Sequence, residues 1–164
     1  MGRTMARGST GGHRSVAGPD SRTVADDRPG YVDTSEVSLW AGESRSAEHW
    51  SRALFEEAPR PIPWFLSAGW RIVLGLRLGP RRSPGHVLGW RITSNESDEI
   101  RLESRSPLMT AQLVLRTSPT TTVLTTNVYF RSRLAHPIWA VVAPIHRQVV
   151  PYLLRRAASS SAER

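Results

Sequence analysis

The sequence predicts an α+β domain in which an antiparallel sheet packs against a long C-terminal helix. Between residues 88 and 131, apolar and polar side chains alternate with the two-residue period of strands that bury one face. From His136 to about Arg156, apolar residues instead recur every three or four positions, which is the period of an amphipathic helix. The turns between the strands are short, so consecutive strands are expected to be antiparallel neighbours.

The 164 residues are sufficient for one domain of ordinary size with a tail at either end. Residues 1–30 hold few apolar side chains and are predicted to be a disordered N-terminal tail. Residues 31–157 are predicted to form the domain, and 158–164 a disordered C-terminal tail. No apolar run typical of a secretory signal follows the first arginines, and we expect a cytoplasmic protein.

The composition excludes several classes of site and partner. The chain has no cysteine, which rules out disulfides, thiolate metal sites and cysteine nucleophiles. Its net charge is +8, but the arginines concentrate in the predicted helical segments, so solvated helix faces are favoured over specific nucleic-acid binding. The apolar stretch 62–78 contains Arg71 and Arg77, which argue against a transmembrane segment.

Two helices and one strand are predicted before the meander. Tyr31 begins an apolar stretch with a strand at about 35–40, and Ser46 is a good N-cap for a helix that ends at Pro59. A second helix is predicted from Trp64 to about Leu76. The residues expected to face inward from it are Trp64, Phe65, Ala68, Ile72 and Leu76.

The meander is predicted as four strands separated by three turns. The turns lie at Asn95–Asp98, at Ser106-Pro107 and at Ser118–Thr120. The side chains expected on the buried face are Leu88, Trp90, Ile92, Ile100, Leu102, Ser104, Met109, Ala111, Leu113, Leu115, Leu124, Thr126, Val128 and Phe130.

The terminal helix carries a wide apolar stripe and two internal prolines, Pro144 and Pro151. We expect the prolines either to arch the helix over a cavity or simply to let it follow a twisted sheet. The main row of the stripe is Ile138, Val142, Ile145, Val149 and Tyr152, and an adjacent row runs Trp139, Val142, Val149, Val150 and Leu153.

Four motifs give the chain a family resemblance: 46–59 (SAEHWSRALFEEAP), 125–131 (TTNVYFR), 144–147 (PIHR) and 153–157 (LLRRA). With the order of elements, they resemble an uncharacterised bacterial domain-of-unknown-function family within the START/SRPBCC superfamily. That superfamily has the helix-grip fold, a curved antiparallel sheet wrapped around a long C-terminal helix, and includes lipid-transfer domains and polyketide cyclases. The resemblance implies an apolar cavity between sheet and helix.

Seven side chains are candidates to line that cavity. Tyr129 fits least well, because strand alternation sets it opposite Val128 and Phe130, and only one of those faces can point inward. The tryptophans are expected to pack in the core, with stacking on a flat ligand as the alternative. The candidates are Trp90, Met109, Ala111, Leu113, Tyr129, Trp139 and His146.

No catalytic residue, metal site or cofactor is predicted. None of the five histidines has a partner at HExxH spacing. Related domains tend to have a polar turn containing Asp or His where this chain has Ser106–Met109. His146 is either a polar anchor or acid–base group in the cavity, or, as we favour, a helix-face histidine bonded to a carbonyl freed by a proline.

The expected function is the binding of a small hydrophobic molecule, and an enzyme is the less favoured interpretation. One alternative is a cyclase/dehydratase-type enzyme that uses the same cavity. Another is an interaction module for a short-chain-dehydrogenase-like oxidoreductase, because similar domains are found attached to such enzymes. A carbon-lined cavity would favour binding, His146 opposite a carboxylate would favour catalysis, and a collapsed cavity beside an exposed apolar patch would favour an interaction module.

Overall fold

A computed structural model describes residues 28–40, 45–59, 61–81 and 83–162. Most of the predicted N-terminal tail therefore lies outside the described residues. The architecture is α+β: an open six-stranded antiparallel sheet carries its helices on one face, as in a helix-grip fold. The elements are β1 (Tyr31–Ser38), α1 (Ala47–Phe55), α2 (Pro61–Ala68), β2 (His86–Val87), β3 (Trp90–Asn95), β4 (Glu99–Arg105), β5 (Met109–Thr117), β6 (Thr121–Phe130) and α3 (Ala135–Ala162).

The strand order is β1-β6-β5-β4-β3-β2, so the meander from β2 to β6 is completed by the first strand at its far edge. The four predicted meander strands are confirmed as β3 to β6. The first strand begins at Tyr31, four residues earlier than predicted. Its register with β6 sets Tyr31 opposite Val128 and Asp33 opposite Thr126. Because facing residues of paired strands lie on the same side of a sheet, Asp33 and Thr126 are neighbours on one face.

The two-residue strand β2 was not predicted, and it joins β3 through a tight turn at Leu88 and Gly89. Both residues have positive φ, 46° and 88°, as the mirror-image turns of two-residue hairpins require. Glycine adopts this conformation readily, and Leu88 is held there with its side chain buried. Leu88 thus belongs to a turn, and the prediction that it alternates with Trp90 along one strand is wrong.

Helix α1 begins at the predicted cap, where the Ser46 hydroxyl accepts a hydrogen bond from the His49 amide. Its outer side carries two successive ion pairs, from Arg52 to Glu48 at 2.8 Å and to Glu56 at 3.3 Å. The Leu88 amide donates to the Glu56 carboxylate at 2.9 Å, which ties the helix to the β2–β3 turn. The Trp50 and Leu54 side chains are buried on the other side of the helix, against the sheet.

Helix α2 continues into a π-helical turn, Gly69–Val73, in which the Leu74 amide donates to the Gly69 carbonyl five residues back. The predicted inward face is wrong for Trp64, Phe65 and Ile72, which are exposed. Only one flank of this segment reaches the core, through Ser67, Leu74 and Leu76 together with the partly buried Leu66 and Trp70. A segment that is apolar on every side gives no periodic signal for the flank that is covered.

The buried face of helix α3 is shifted by one residue along the chain from the main apolar row that was predicted to face inward. Its inward positions advance by steps of four and three, with His146 in the middle of the series: Trp139, Ala143, His146, Val150, Leu153 and Ala157. Ile145 and Tyr152, predicted to face inward, are half exposed. The helix runs to Ala162, so most of the segment predicted as a C-terminal tail is helical. None of the helices in the described part of the chain is long and apolar enough to cross a bilayer.

Trp139 provides the anchor of α3. The side chain is 5 % exposed and its ring meets the Tyr31 ring of β1 edge-to-face, with centroids 5.1 Å apart. We expect Trp139→Ala to lower the free energy of unfolding by about 3–5 kcal/mol, because a buried indole is lost and a cavity remains. Chemical denaturation followed by far-ultraviolet circular dichroism measures the change.

The matched control is Val141→Ala, two residues further along the same helix, where the side chain is 72 % exposed. We expect this variant to change the free energy by no more than about 0.5 kcal/mol, as is typical of surface positions. Equal effects of the two substitutions would contradict the helix orientation described above.

Candidate functional site

We call residues 61–74, which comprise α2 and the π-helical turn, the α2 segment. A pocket of about 200 Å³ lies between the sheet, α3 and the α2 segment. We call it the central pocket. The sheet forms its floor with Trp90, Ala111, Leu113, Leu124 and Thr126. Helix α3 forms one wall, with Trp139, Val142, Ile145, His146, Val149, Val150 and Leu153. Its roof consists of Phe55 from α1 and of Phe65, Leu66, Gly69, Trp70, Val73 and Leu74 from α2 and the π-helical turn.

The central pocket is apolar apart from one corner. None of its lining residues is an aspartate, glutamate, lysine or arginine, and apart from the indole N–H groups of its tryptophans the polar side chains among them are Thr126 and His146. The side chains of Phe65 and Ile145 line the pocket and are also half exposed, so the pocket reaches the surface. Because the walls satisfy few hydrogen bonds, a bound molecule would have to be largely apolar.

The polar corner is a chain of three side chains from three elements. The Nε2 atom of His146 lies 3.2 Å from the Thr126 hydroxyl oxygen, at the pocket wall. On the other side of the ring, Nδ1 lies 3.4 Å from Oδ2 of Asp33, which is not among the lining residues. The imidazole thus separates a carboxylate behind it from a hydroxyl that borders the pocket.

The fold dictates this arrangement. The β1–β6 register places Asp33 opposite Thr126 on the helix-facing side of the sheet. His146 stands above them because it occupies the centre of the inward face of α3. The Trp139 and Tyr31 rings border the imidazole, with centroid distances of 5.7 Å and 6.4 Å. These rings limit the rotation of the imidazole and exclude water from one side of it.

Burial controls the ionisation of this corner. It lowers the pKa of His146, because the charged imidazolium loses its hydration, while the Asp33 carboxylate opposes that shift and Arg147 adds to it. Burial also raises the pKa of Tyr31, assisted by Asp33 and opposed by Arg147. Both rings are accordingly neutral near pH 7.

The structure brings five of the seven predicted candidates together around the central pocket: Trp90, Ala111, Leu113, Trp139 and His146. Met109 lies on the same face of the sheet but is fully buried in the core, outside the lining. Tyr129 is on the opposite face, because alternation along β6 turns Leu124, Thr126 and Val128 towards the helix. Tyr129 is therefore not a pocket residue.

Asp33 and the contribution of the second helix to the pocket were not predicted from the sequence. Asp33 lies on the same side of β1 as Tyr31 and Val37, because side chains alternate along the strand. This placement can be read from the sequence only if the strand is taken to begin at residue 31. His146 bonds to the Thr126 side chain, and no bond from it to a backbone carbonyl is present in the described part of the chain. Within the described residues, no group of three histidine or carboxylate side chains is placed to hold a metal ion.

Comparison with known proteins assigns the chain to a family. The model of the family described as "Protein of unknown function (DUF2867)" matches residues 27–153. This match covers more than half of the chain, and the chain belongs to that family. No curated protein and no solved structure matches it significantly.

The lowered pKa of His146 predicts how stability depends on pH. Below about pH 6.5 the unfolded chain takes up a proton at this histidine before the folded chain does. We therefore expect stability to fall as the pH is lowered from 7.5 to 5.5, and His146→Gln to lose less than the parent over that interval. Urea denaturation at both pH values gives the difference.

The comparison of parent and variant cancels the other titrating groups. His49→Gln serves as the control, because His49 is an exposed histidine on α1. A loss in His146→Gln as large as that of the parent would show that the His146 ring is hydrated in the folded protein.

Proposed function

We propose that this member of the DUF2867 family binds a small, largely apolar molecule in the central pocket. The observation that supports the proposal most directly is the combination of an open, carbon-lined space with a single polar corner. Ligand sites commonly have this composition, in which apolar walls supply affinity and a few polar groups fix orientation. We also propose membership of the START/SRPBCC superfamily and a cytoplasmic location, on the strength of the sequence resemblance and the helix-grip architecture.

The volume limits the size of the ligand. At about 200 Å³, the central pocket exceeds the ~150 Å³ cavity that accommodates benzene. It lies below the ~300 Å³ at the lower end of drug-sized sites. A substituted single ring or a short branched hydrocarbon with one polar group would fit, whereas a whole phospholipid would not unless the α2 roof opened.

A second candidate function is the cyclase/dehydratase-type enzyme. The observation that favours it is the Asp33–His146 contact at 3.4 Å, because a carboxylate behind a histidine can orient it as a general acid or base. The carboxylate lies behind the ring, however, and not across the pocket from it. A reaction would therefore have to use His146 alone or His146 with Thr126.

The third candidate is the interaction module for an oxidoreductase. It is favoured by the exposed apolar side chains of the α2 segment, where Trp64 is 68 % and Ile72 82 % exposed. The open central pocket beside this surface makes ligand binding the better supported function. A partner contacting Trp64 and Ile72 would cover the roof of the pocket, so the two functions are compatible.

Filling the pocket tests the proposal. Ala111 is buried on its floor, and we expect Ala111→Trp to occupy the space that a ligand would take. Binding of an apolar fluorescent probe should be lost, while the melting temperature changes little because the new ring fills existing space. Probe fluorescence and thermal unfolding measure the two effects.

The same substitution at Ala140, an exposed position of α3, is the matched control. Ala140→Trp should retain both the probe and the melting temperature. If the parent binds no probe and Ala111→Trp costs about 1–3 kcal/mol, as overpacking of a filled core does, the proposed function is wrong.

A further inference from the structure

We propose that the polar corner of the central pocket is a hydrogen-bond acceptor, fixed as such by Asp33. The ligand is then a small apolar molecule that carries one donor group, such as a phenol or an apolar alcohol. This inference rests on the proposed binding function and specifies its ligand class.

The Asp33 carboxylate determines the tautomer of His146. A neutral imidazole carries its proton on one nitrogen and presents a lone pair on the other. Its Nδ1 atom faces the Asp33 carboxylate at 3.4 Å, and a carboxylate offers only lone pairs and negative charge. The two atoms are at ion-pair distance without a hydrogen bond between them, and a lone pair on Nδ1 would be repelled there. The Asp33 charge therefore favours the tautomer with the proton on Nδ1, in which Nε2 is an acceptor.

The tautomer of His146 in turn determines the hydrogen bond of the Thr126 hydroxyl. Its hydroxyl lies 3.2 Å from Nε2 and has a single proton. Because Nε2 can only accept, the hydroxyl must donate to it, and its remaining lone pairs are left for the pocket. The Thr126 oxygen and the His146 Nε2 atom are thereby both acceptors, since Nε2 would also accept from a ligand that displaced the Thr126 proton.

The polar corner is a poor partner for anions and for groups that only accept hydrogen bonds. The lining contains no cationic side chain that could neutralise a carboxylate, and the Asp33 charge lies just behind the imidazole. An anionic ligand would find no cationic partner in the lining, and a carbonyl or ether at this corner would meet only lone pairs. A hydroxyl or N–H group can satisfy the corner, which makes the donor the preferred anchor.

Three ring compounds of equal size separate the possibilities. p-Cresol has a donor, anisole is its isomer with only an ether acceptor, and p-xylene replaces the hydroxyl with a methyl group. At pH 7.5 we expect p-cresol to bind the full chain roughly three- to tenfold more tightly than anisole, the effect of one hydrogen bond. Calorimetric titration measures the affinities.

Asp33→Asn is the decisive variant, because an amide can present either a donor or an acceptor to Nδ1 and so releases the tautomer. The ratio of the p-cresol and anisole affinities should fall towards one. The matched control is Asp98→Asn, which makes the same change at an exposed turn residue and should preserve the ratio.

Nitrogen NMR of the parent reports the tautomer directly, whether or not Asp33→Asn folds, and the His146→Gln spectrum identifies the signals. A proton on Nδ1 together with preference for p-cresol supports the inference. A proton on Nε2, or anisole binding as tightly as p-cresol, overturns it while p-xylene binding still upholds the proposed function. If p-xylene, p-cresol and anisole all fail to bind, the proposed function falls and the inference with it.

Discussion

The pairing of the first strand with the last is the constraint on which the rest of the structure depends. Thr34 of β1 meets Thr125 of β6 across 91 positions of sequence, and α3 packs mainly against these two strands. A slip of one residue would turn Tyr31 and Asp33 to the solvent side. It would remove the aromatic neighbour of Trp139 and the carboxylate behind His146 together. Helix packing and the polar corner therefore share one determinant, the β1–β6 register.

The buried face of α3 is interrupted by one polar side chain. The position between Ala143 and Val150 on this face holds a histidine, where an aliphatic side chain would fill the space without a desolvation cost. Asp33 and Thr126 are likewise polar on the helix-facing side of the sheet. Such local exceptions to an apolar pattern are expected where a protein binds or reacts. Their convergence on a single corner is a stronger indication of function than any one of them.

The meander could be predicted from the sequence because its apolar residues alternate regularly in β4 and β6 and its turns contain Asn, Ser and Pro. Of the seven candidate pocket residues, Trp90, Ala111 and Leu113 follow from alternation along the meander, and Trp139 and His146 from their positions on α3. The phase of α3 was missed by one residue. Ile145 and Tyr152 outweigh the small Ala143 and Ala157 in an apolar count, and His146 interrupts the true row. Asp33 and the α2 roof depend on long-range packing, which no local pattern specifies.

The π-helical turn Gly69–Val73 has a consequence for how the pocket roof can vary among related chains. A π turn is an α-helix with one residue inserted, so its loss corresponds to a single-residue deletion. Trp70 within it packs edge-to-face on Phe55 and Trp90, with centroids 6.0 Å and 5.2 Å apart. A relative one residue shorter here would turn its following side chains by about 100° around the helix axis. The edge-to-face aromatic contacts and the shape of the roof would then differ, although the sheet was unchanged. Insertions and deletions within this turn could therefore alter ligand preference without altering the fold.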